Sequence, residues 1–237
     1  MPLNFADRPL TPNEARVLGT LMEKDRTVPD SYPLTLNTLV LGCNQKTSRD
    51  PVMDLSDEQV QAALDSLRKL SLVTETSGSR VMRFGHNFRR AVNVSDAEFT
   101  ALGLLLLRGP LTSAEIRTYG ERWHKFADAG AVEVCLSDLT EWDEEDDVGR
   151  NPTKGPALVV QLARLPGHRE SRWMHLLGGP VDAQLAVTPS DEPQVAATYR
   201  SLQARIEVLE TEMQALKHHS EKIEKALNDQ LGLTILP

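Results

Sequence analysis

The chain contains 237 residues, of which 40% are hydrophobic and 25% charged, and its formal net charge is −8. This length fits one large domain or two ordinary ones, and the composition excludes a wholly disordered protein. The net negative charge disfavours a broad nucleic-acid-binding surface unless positive charge is concentrated locally.

The number of cysteines and the length of the apolar runs indicate the cellular compartment of the protein. Cys43 and Cys135 are the two cysteines, too few for a disulfide framework or a four-cysteine zinc site, which favours a reducing environment. The longest apolar run, residues 101–107, is far shorter than the roughly 20 residues that cross a bilayer, and the N-terminus lacks a signal segment. The sequence therefore predicts a cytoplasmic protein without membrane contact.

Capping boxes mark four helix starts along the chain. In each box a Ser or Thr side chain and a Glu or Gln side chain three residues later accept hydrogen bonds from backbone N–H groups that the first helical turn leaves free. The four pairs are Thr11 with Glu14, Ser56 with Gln59, Ser95 with Glu98, and Thr112 with Glu115.

The chain predicts the same order of elements twice, three helices followed by a β-hairpin. The first set comprises helices over residues 13–24, 35–43 and 56–70, then strands over 72–76 and 81–86. The second comprises helices over 96–108, 113–121 and 128–142, then strands over 158–165 and 172–177. Each pair of β-rich segments flanks a Gly-containing turn, which is typical of a hairpin.

The third helices of the two sets are related by a displacement of 72 residues. A cap, Ser56 or Asp128, is followed in each by apolar residues at helical spacing, which predicts one buried stripe per helix. The stripes are Val60, Ala63, Leu64 and Leu67, and Val132, Cys135, Leu136 and Leu139. Cys135 is therefore interpreted as a core residue rather than a reactive thiol.

These elements predict an α+β, mainly helical fold with two tandem winged-helix domains, residues 1–92 and 93–180. A winged-helix domain is a helix-turn-helix with a β-hairpin wing. Residues 101–107 are apolar all round their helix, so we expect that helix to be buried between the two domains.

Residues 181–237 predict a linker and a long C-terminal helix. Apolar residues from Val195 to Leu227 recur at alternating spacings of four and three, which is a heptad pattern and predicts a coiled-coil homodimer. The alternative is a helix that folds back on its own chain. The predicted interface residues are Tyr199, Leu202, Ile206, Leu209, Met213, Leu216, Ile223 and Leu227.

Several long strings resemble the bacterial YceH-like family. They are PDSYPLTLN at residues 29–37, CNQKTSRDPV at 43–52 and RLPGHRE at 164–170, with shorter matches near residues 117–128. The resemblance covers residues 10–178 and implies a tandem winged-helix fold. It carries no established activity to transfer, and the heptad helix lies outside it.

Motifs of enzymes and metal sites are absent, so we predict a protein that is not an enzyme and has no cofactor or metal. The chain contains no G-x-S-x-G, H-E-x-x-H, C-x-x-C or phosphate-binding glycine-rich loop. The polar segment 44–50 has two interpretations. In the first interpretation, Lys46 and Arg49 bind an anion. In the second, Arg49 and Asp50 serve as hydrogen-bonding anchors of a structured loop. The acidic run at residues 143–147 also has two interpretations, a solvated loop or a segment that binds a basic partner.

Charge is divided between the hairpins and the third helices. The third helices begin with Asp57 and Glu58 or with Asp128, which repel phosphates, whereas the hairpins are basic. The leading hypothesis is a regulator that binds duplex DNA through its wings. The candidate DNA-binding residues are Arg80, Arg83, Arg89, Arg90, Lys46, Arg49, Arg164, Arg169 and Arg172.

The same charges leave two alternatives open. In the first alternative, the hairpin arginines pair with acidic residues of their own fold and do not contact DNA. In the second, the chain is a protein-interaction adaptor resembling the acidic winged-helix subunits of chromosome-segregation complexes, without direct DNA binding.

Overall fold

In the computed structural model of the chain, the described residues are 4–77, 81–140, 157–164, 167, 170–181 and the single positions 205, 213, 217 and 222. The chain divides into two compact units, Met1–Val187 and Thr188–Pro237. The described residues of the first unit form an α+β fold in which helices predominate.

The elements of the first unit follow one another in two sets. The first set is α1 (Pro12–Thr27), β1 (Leu34–Thr35), α2 (Leu36–Cys43), α3 (Asp57–Lys69), β2 (Val73–Ser77) and β3 (Met82–His86), followed by a short helix, α4 (Phe88–Val92). The second set is α5 (Asp96–Arg108), α6 (Ser113–Gly120), α7 (Ala129–Asp138), β4 (Val159–Gln161) and β5 (Trp173–His175).

The predicted helix starts are confirmed by their hydrogen bonds. Both reciprocal bonds of the capping box are present at Thr11, Ser56, Ser95 and Thr112. The Asp128 carboxylate caps α7 by accepting from the Ala131 N–H at 2.8 Å. Helix α4 was not predicted, because five residues with one buried side chain carry no readable periodicity.

Both sets build a small antiparallel sheet with the same strand order. In the first, β3 lies between β1 and β2, with Phe84 opposite both Leu34 and Glu75. In the second, β5 pairs with β4, and Trp173 of β5 also pairs with Leu111, just before α6. Leu111 therefore occupies the place that β1 has in the first set.

The core is continuous through the first unit, and α5 lies at its centre. The apolar stripes of α3 and α7 are buried, as predicted. Residues 101–107 are buried on every side because α5 contacts α1 as well as α6 and α7. Gly103 permits this packing, since a Cβ there would lie 2.5 Å from the Trp123 ring.

The structure bears on one predicted domain boundary and on one residue of the predicted dimer interface. Residue 92 ends α4, but residues on both sides of it belong to the same compact unit. Of the predicted dimer-interface residues, Met213 is described, and it is helical and 65% exposed. The heptad helix and its pairing stay predictions, because the other interface residues lie outside the described part: Tyr199, Leu202, Ile206, Leu209, Leu216, Ile223 and Leu227.

Candidate interaction surfaces

Arg49 lies inside the fold and anchors the loop between α2 and α3. Its side chain is fully buried, donates to the Gly42 carbonyl through Nε and Nη2, and forms a 2.6 Å ion pair with Glu23. Burial acts to raise the pKa of Glu23, but the hydrogen bonds and positive charges of Arg49 and Lys24 together outweigh it, so that pKa is lowered. The prediction that Arg49 contacts DNA is therefore corrected, because a buried, fully paired guanidinium does not reach a phosphate.

Arg16 ties the end of α2 to the middle of the same loop. Its Nη1 donates to the Cys43 carbonyl at 3.1 Å and its Nη2 to the Pro51 carbonyl at 2.5 Å. The backbone N–H of Asp50 donates to the Leu107 carbonyl of α5 at 2.9 Å, which fixes the loop to the second set of elements. The loop is therefore held at several points by buried groups.

This anchored loop presents a mixed surface to solvent. Leu41 near the end of α2 is 66% exposed and Val52 within the loop is 57% exposed. Lys46, Thr47 and Asp50 are exposed between them. We name these five residues the loop surface.

The third helices offer acidic and apolar side chains rather than basic ones. Asp57 and Glu58 are exposed in the first turn of α3. In and around α7, Glu133 and Asp138 are exposed, Val134 is 64% exposed, and residues 128–140 contain no Lys or Arg. Hydrogen bonds to Ser56 and to its own backbone lower the pKa of Glu58, which keeps it charged.

The hairpin cations of the first set are largely engaged within the fold. Arg83 is exposed but donates to the Pro33 carbonyl at 2.7 Å, and Arg89 pairs with Asp96 at 3.0 Å. Arg90 is exposed and has no ion pair within the described residues. The pairing of Arg89 with a carboxylate follows the alternative interpretation of the hairpin arginines.

The remaining candidate cations are divided among several environments. Lys46 is exposed without an ion pair in the described part of the chain. Arg164 is exposed, and Arg172 is half-buried with an Nε that has no hydrogen-bond partner in the part of the chain that the structure describes. Arg80 and Arg169 lie outside the described residues.

The base of the first hairpin is tied to α1 and α5 by a polar cluster. His86 Nδ1 accepts from the Phe88 N–H at 3.3 Å, and its Nε2 lies 3.5 Å from Asp25. Burial lowers the pKa of His86 despite the opposing effect of Asp25. Arg26, near the end of α1, pairs with Asp96 at the start of α5.

A basic segment that sequence analysis did not single out follows the start of α6. Arg117, Arg122 and Lys125 are exposed and carry no ion pair to any described residue. Arg108 stacks on the Tyr119 ring, with its guanidinium carbon 3.9 Å from the ring centroid. The signal in the sequence is the grouping of three cations within residues 117–125.

Comparison with known proteins adds the family. Residues 10–168 match the family described as protein of unknown function, DUF480. The chain belongs to this family. The resemblance to an uncharacterised bacterial family is thereby confirmed.

Relatives of this DUF480 chain share about half of its residues over nearly their whole length. The UPF0502 protein of Acidovorax sp. (strain JS42) is 50% identical over 234 residues, which cover 98% of this chain and 99% of the relative. The UPF0502 protein of Polaromonas naphthalenivorans (strain CJ2) is 54% identical over 215 residues, 87% of this chain and 94% of the relative. That of Verminephrobacter eiseniae (strain EF01-2) is 51% identical over 237 residues, 100% of this chain and 93% of the relative.

The two thiols of the DUF480 chain are structural. Cys43 and Cys135 are buried, and burial raises the pKa of Cys135 to about 12 and also raises that of Cys43. A thiol with a raised pKa is a poor nucleophile near neutral pH. Among the described residues, no three His, Cys, Asp or Glu side chains are placed to hold a metal ion. In the same part of the chain no helix is long and apolar enough to cross a membrane.

Proposed function

We propose that this DUF480 chain is a protein-interaction adaptor built from two winged-helix domains in tandem. The winged-helix assignment is supported by the repeated order of elements, in which three helices precede a hairpin whose last strand is the middle of the sheet. It is supported further by Leu111, which pairs with β5 as β1 pairs with β3.

The exposed chemistry of α7 carries the adaptor assignment. In a helix-turn-helix that binds DNA, the helix in this position enters the major groove and meets a dense array of phosphates. The exposed side chains of α7 are Glu133, Val134 and Asp138, with Asp128 at its cap. Carboxylates placed there repel a duplex, whereas an apolar side chain with charged neighbours suits a protein surface.

The loop surface supplies a second place for a protein partner. Its backbone is held in advance by Arg16 and Arg49, so binding orders little chain and costs little conformational entropy. Leu41 and Val52 offer apolar area beside Lys46 and Asp50. Exposed apolar side chains beside polar ones are typical of protein interfaces.

A capture experiment from the native cell tests the adaptor proposal. The full chain, the variant L41E/V52E and the control V81E/M82E are each used as bait, with and without nuclease. The control changes two apolar side chains of similar exposure on the first hairpin. We expect a specific protein to be retained after nuclease by the wild type and the control and lost from L41E/V52E. Capture that disappears with nuclease would contradict the proposal, whereas nuclease-resistant capture that is equal for all three baits would place the partner on another surface, such as the exposed side of α7.

DNA binding through the first hairpin is the second candidate function. It is favoured by Arg90 of α4, just after the hairpin, which is exposed without an ion pair within the described residues, and by the exposed Arg83 of β3. If both residues contact phosphates, R83A/R90A should weaken binding to every duplex and reduce the slope of log affinity against log salt by about 1.8 per copy. Fluorescence anisotropy with labelled duplexes measures this. Absence of binding below about 10 μM at 50 mM salt, weaker than ordinary non-specific association, eliminates this candidate.

A further inference from the structure

A histidine with a buried side chain occupies the same sheet position in both sets of elements. His86 of β3 lies opposite Val73 of β2, and His175 of β5 lies opposite Val159 of β4. Burial is what lowers the pKa of His175, whereas charged neighbours also act on the pKa of His86. The two histidines therefore share a position in the fold but differ in their polar contacts.

The His86 ring supplies a hydrogen bond that the start of α4 otherwise lacks. Asn87 occupies the N-cap, but its side chain does not bond the first turn and donates to the Ser71 carbonyl instead. The Phe88 N–H donates to His86 Nδ1 at 3.3 Å. A neutral ring that accepts at Nδ1 carries its proton on Nε2. Helix α4 connects the two sets of elements, so this bond lies at their junction.

The opposite nitrogen of the ring faces α1. Nε2 is buried without a hydrogen-bond partner among the described residues, and it lies 3.5 Å from the Asp25 carboxylate. Burial lowers the pKa of His86, and Asp25 acts to raise it. Arg26 of α1 and Arg89 of α4 are the other charged neighbours, and both act to lower that pKa. The Tyr32 hydroxyl accepts from the backbone N–H of His86 at 2.5 Å, which fixes the residue among these groups.

Helix α5 closes the remaining side of the cluster. The ring centroid of Phe99 lies 5.0 Å from that of His86. Asp96, at the start of α5, pairs with both Arg26 and Arg89. The contact between α1 and α5 through Arg26 therefore does not depend on α4.

A proton on Nδ1 is incompatible with the bond to α4. The charged imidazolium donates from both nitrogens, so its Nδ1–H would point at the Phe88 N–H, and two donors would face each other. We propose that protonation of the His86 imidazole breaks its hydrogen bond to α4, so that acidification loosens the connection between the two sets of elements. Asp25 holds the charged ring from the Nε2 side, while Arg26 and Asp96 keep α1 and α5 together.

This pH response goes beyond the adaptor function, because it involves no residue of the loop surface. Its range follows from the lowered pKa of His86, which places the change below the ordinary histidine value of about 6.5. It also differs from the response of His175, whose Nδ1 accepts no hydrogen bond from any described residue. Protonation of His175 acts on the stability of the whole unit rather than on α4.

Amide hydrogen exchange of the full chain, followed by NMR from pH 7.5 to 5.0, tests the proposal. Each rate is divided by that of an unstructured peptide at the same pH, which gives a protection factor. His86→Asn replaces the ring by an amide that does not titrate and whose oxygen accepts from an N–H two residues on. His175→Asn is the matched control in the second sheet. Asp25→Asn changes a partly exposed side chain and removes the charge that favours the protonated ring.

We expect protection of the Phe88 amide in the wild type to fall on the order of 10-fold on acidification, while the buried amides of α5 stay protected. His175→Asn should retain this local response, His86→Asn should abolish it, and Asp25→Asn should move its midpoint to lower pH. The imidazole ¹⁵N shifts should show a proton on Nε2 at pH 7.5. Constant protection of Phe88, an equal loss in α4 and α5, an unchanged midpoint in Asp25→Asn, or a proton on Nδ1 at pH 7.5 would each overturn the proposal.

Discussion

Acidification should destabilise the chain through one buried histidine of β5. His175 lies opposite Val159, is 7% exposed, and its Nδ1 is buried without a hydrogen-bond partner among the described residues. Burial lowers its pKa to about 4 because the charged imidazolium loses its hydration. The folded chain therefore holds His175 neutral at pH values where the unfolded chain has already bound a proton.

The loss of stability follows from the difference between the pKa of His175 in the folded and unfolded chains. The ordinary pKa of histidine is about 6.5, so the folded pKa is lower by roughly 2.5 units, at about 1.4 kcal/mol each. The free energy of unfolding should fall by about 3 kcal/mol as the pH decreases from about 6.5 to about 4, and should show no further loss from this group below that. Against a typical stability of about 5–15 kcal/mol, the loss is measurable.

Urea unfolding followed by tryptophan fluorescence at pH 7.5, 6.5, 5.5 and 4.5 measures the effect. The matched variant is His175→Leu, which removes the titrating group and its unpartnered nitrogen. The difference between wild type and variant isolates His175, because every other titrating group is present in both proteins. We expect the variant to gain relative stability steadily from pH 6.5 to 4.5. Parallel pH profiles for the two proteins would refute the reasoning that burial holds His175 neutral.

Three further substitutions probe packing and pairing. Gly103→Val should cost about 1–3 kcal/mol, because a Cβ would lie 2.5 Å from the Trp123 ring, and thermal denaturation against wild type measures it. Leu64→Ala should cost about 2–5 kcal/mol through a cavity in the buried stripe of α3, and a loss under 1 kcal/mol in urea unfolding would place this side chain outside the core. Arg49→Ala should cost about 3–5 kcal/mol by leaving Glu23 without its partner, and the double variant with Glu23→Gln should recover part of that loss.

The loop between α2 and α3 shows how far the candidate site was predictable. The sequence marked residues 44–50 as polar and left two interpretations of Arg49 open. The choice depends on Glu23, which lies 26 residues earlier, and on the Gly42 carbonyl. Such pairing is decided by how α1 packs beside the loop, and no local pattern encodes it. The cations at residues 117–125 were overlooked for a similar reason, since the lack of an ion pair to any described residue becomes visible only in the folded chain.

What the sequence by itself determined is the order of elements and their starts. Capping boxes act over three residues and apolar stripes over one or two helical turns, so both are readable locally, and the displacement of 72 residues between α3 and α7 follows from them. Tertiary structure alone decided the pairing of Leu111 with Trp173 and the burial of Arg16 and Arg49. The physical reason is the distance along the chain over which each interaction acts. A cap satisfies its own neighbours, whereas a buried guanidinium or a two-residue strand is stable only where distant backbone supplies its hydrogen bonds.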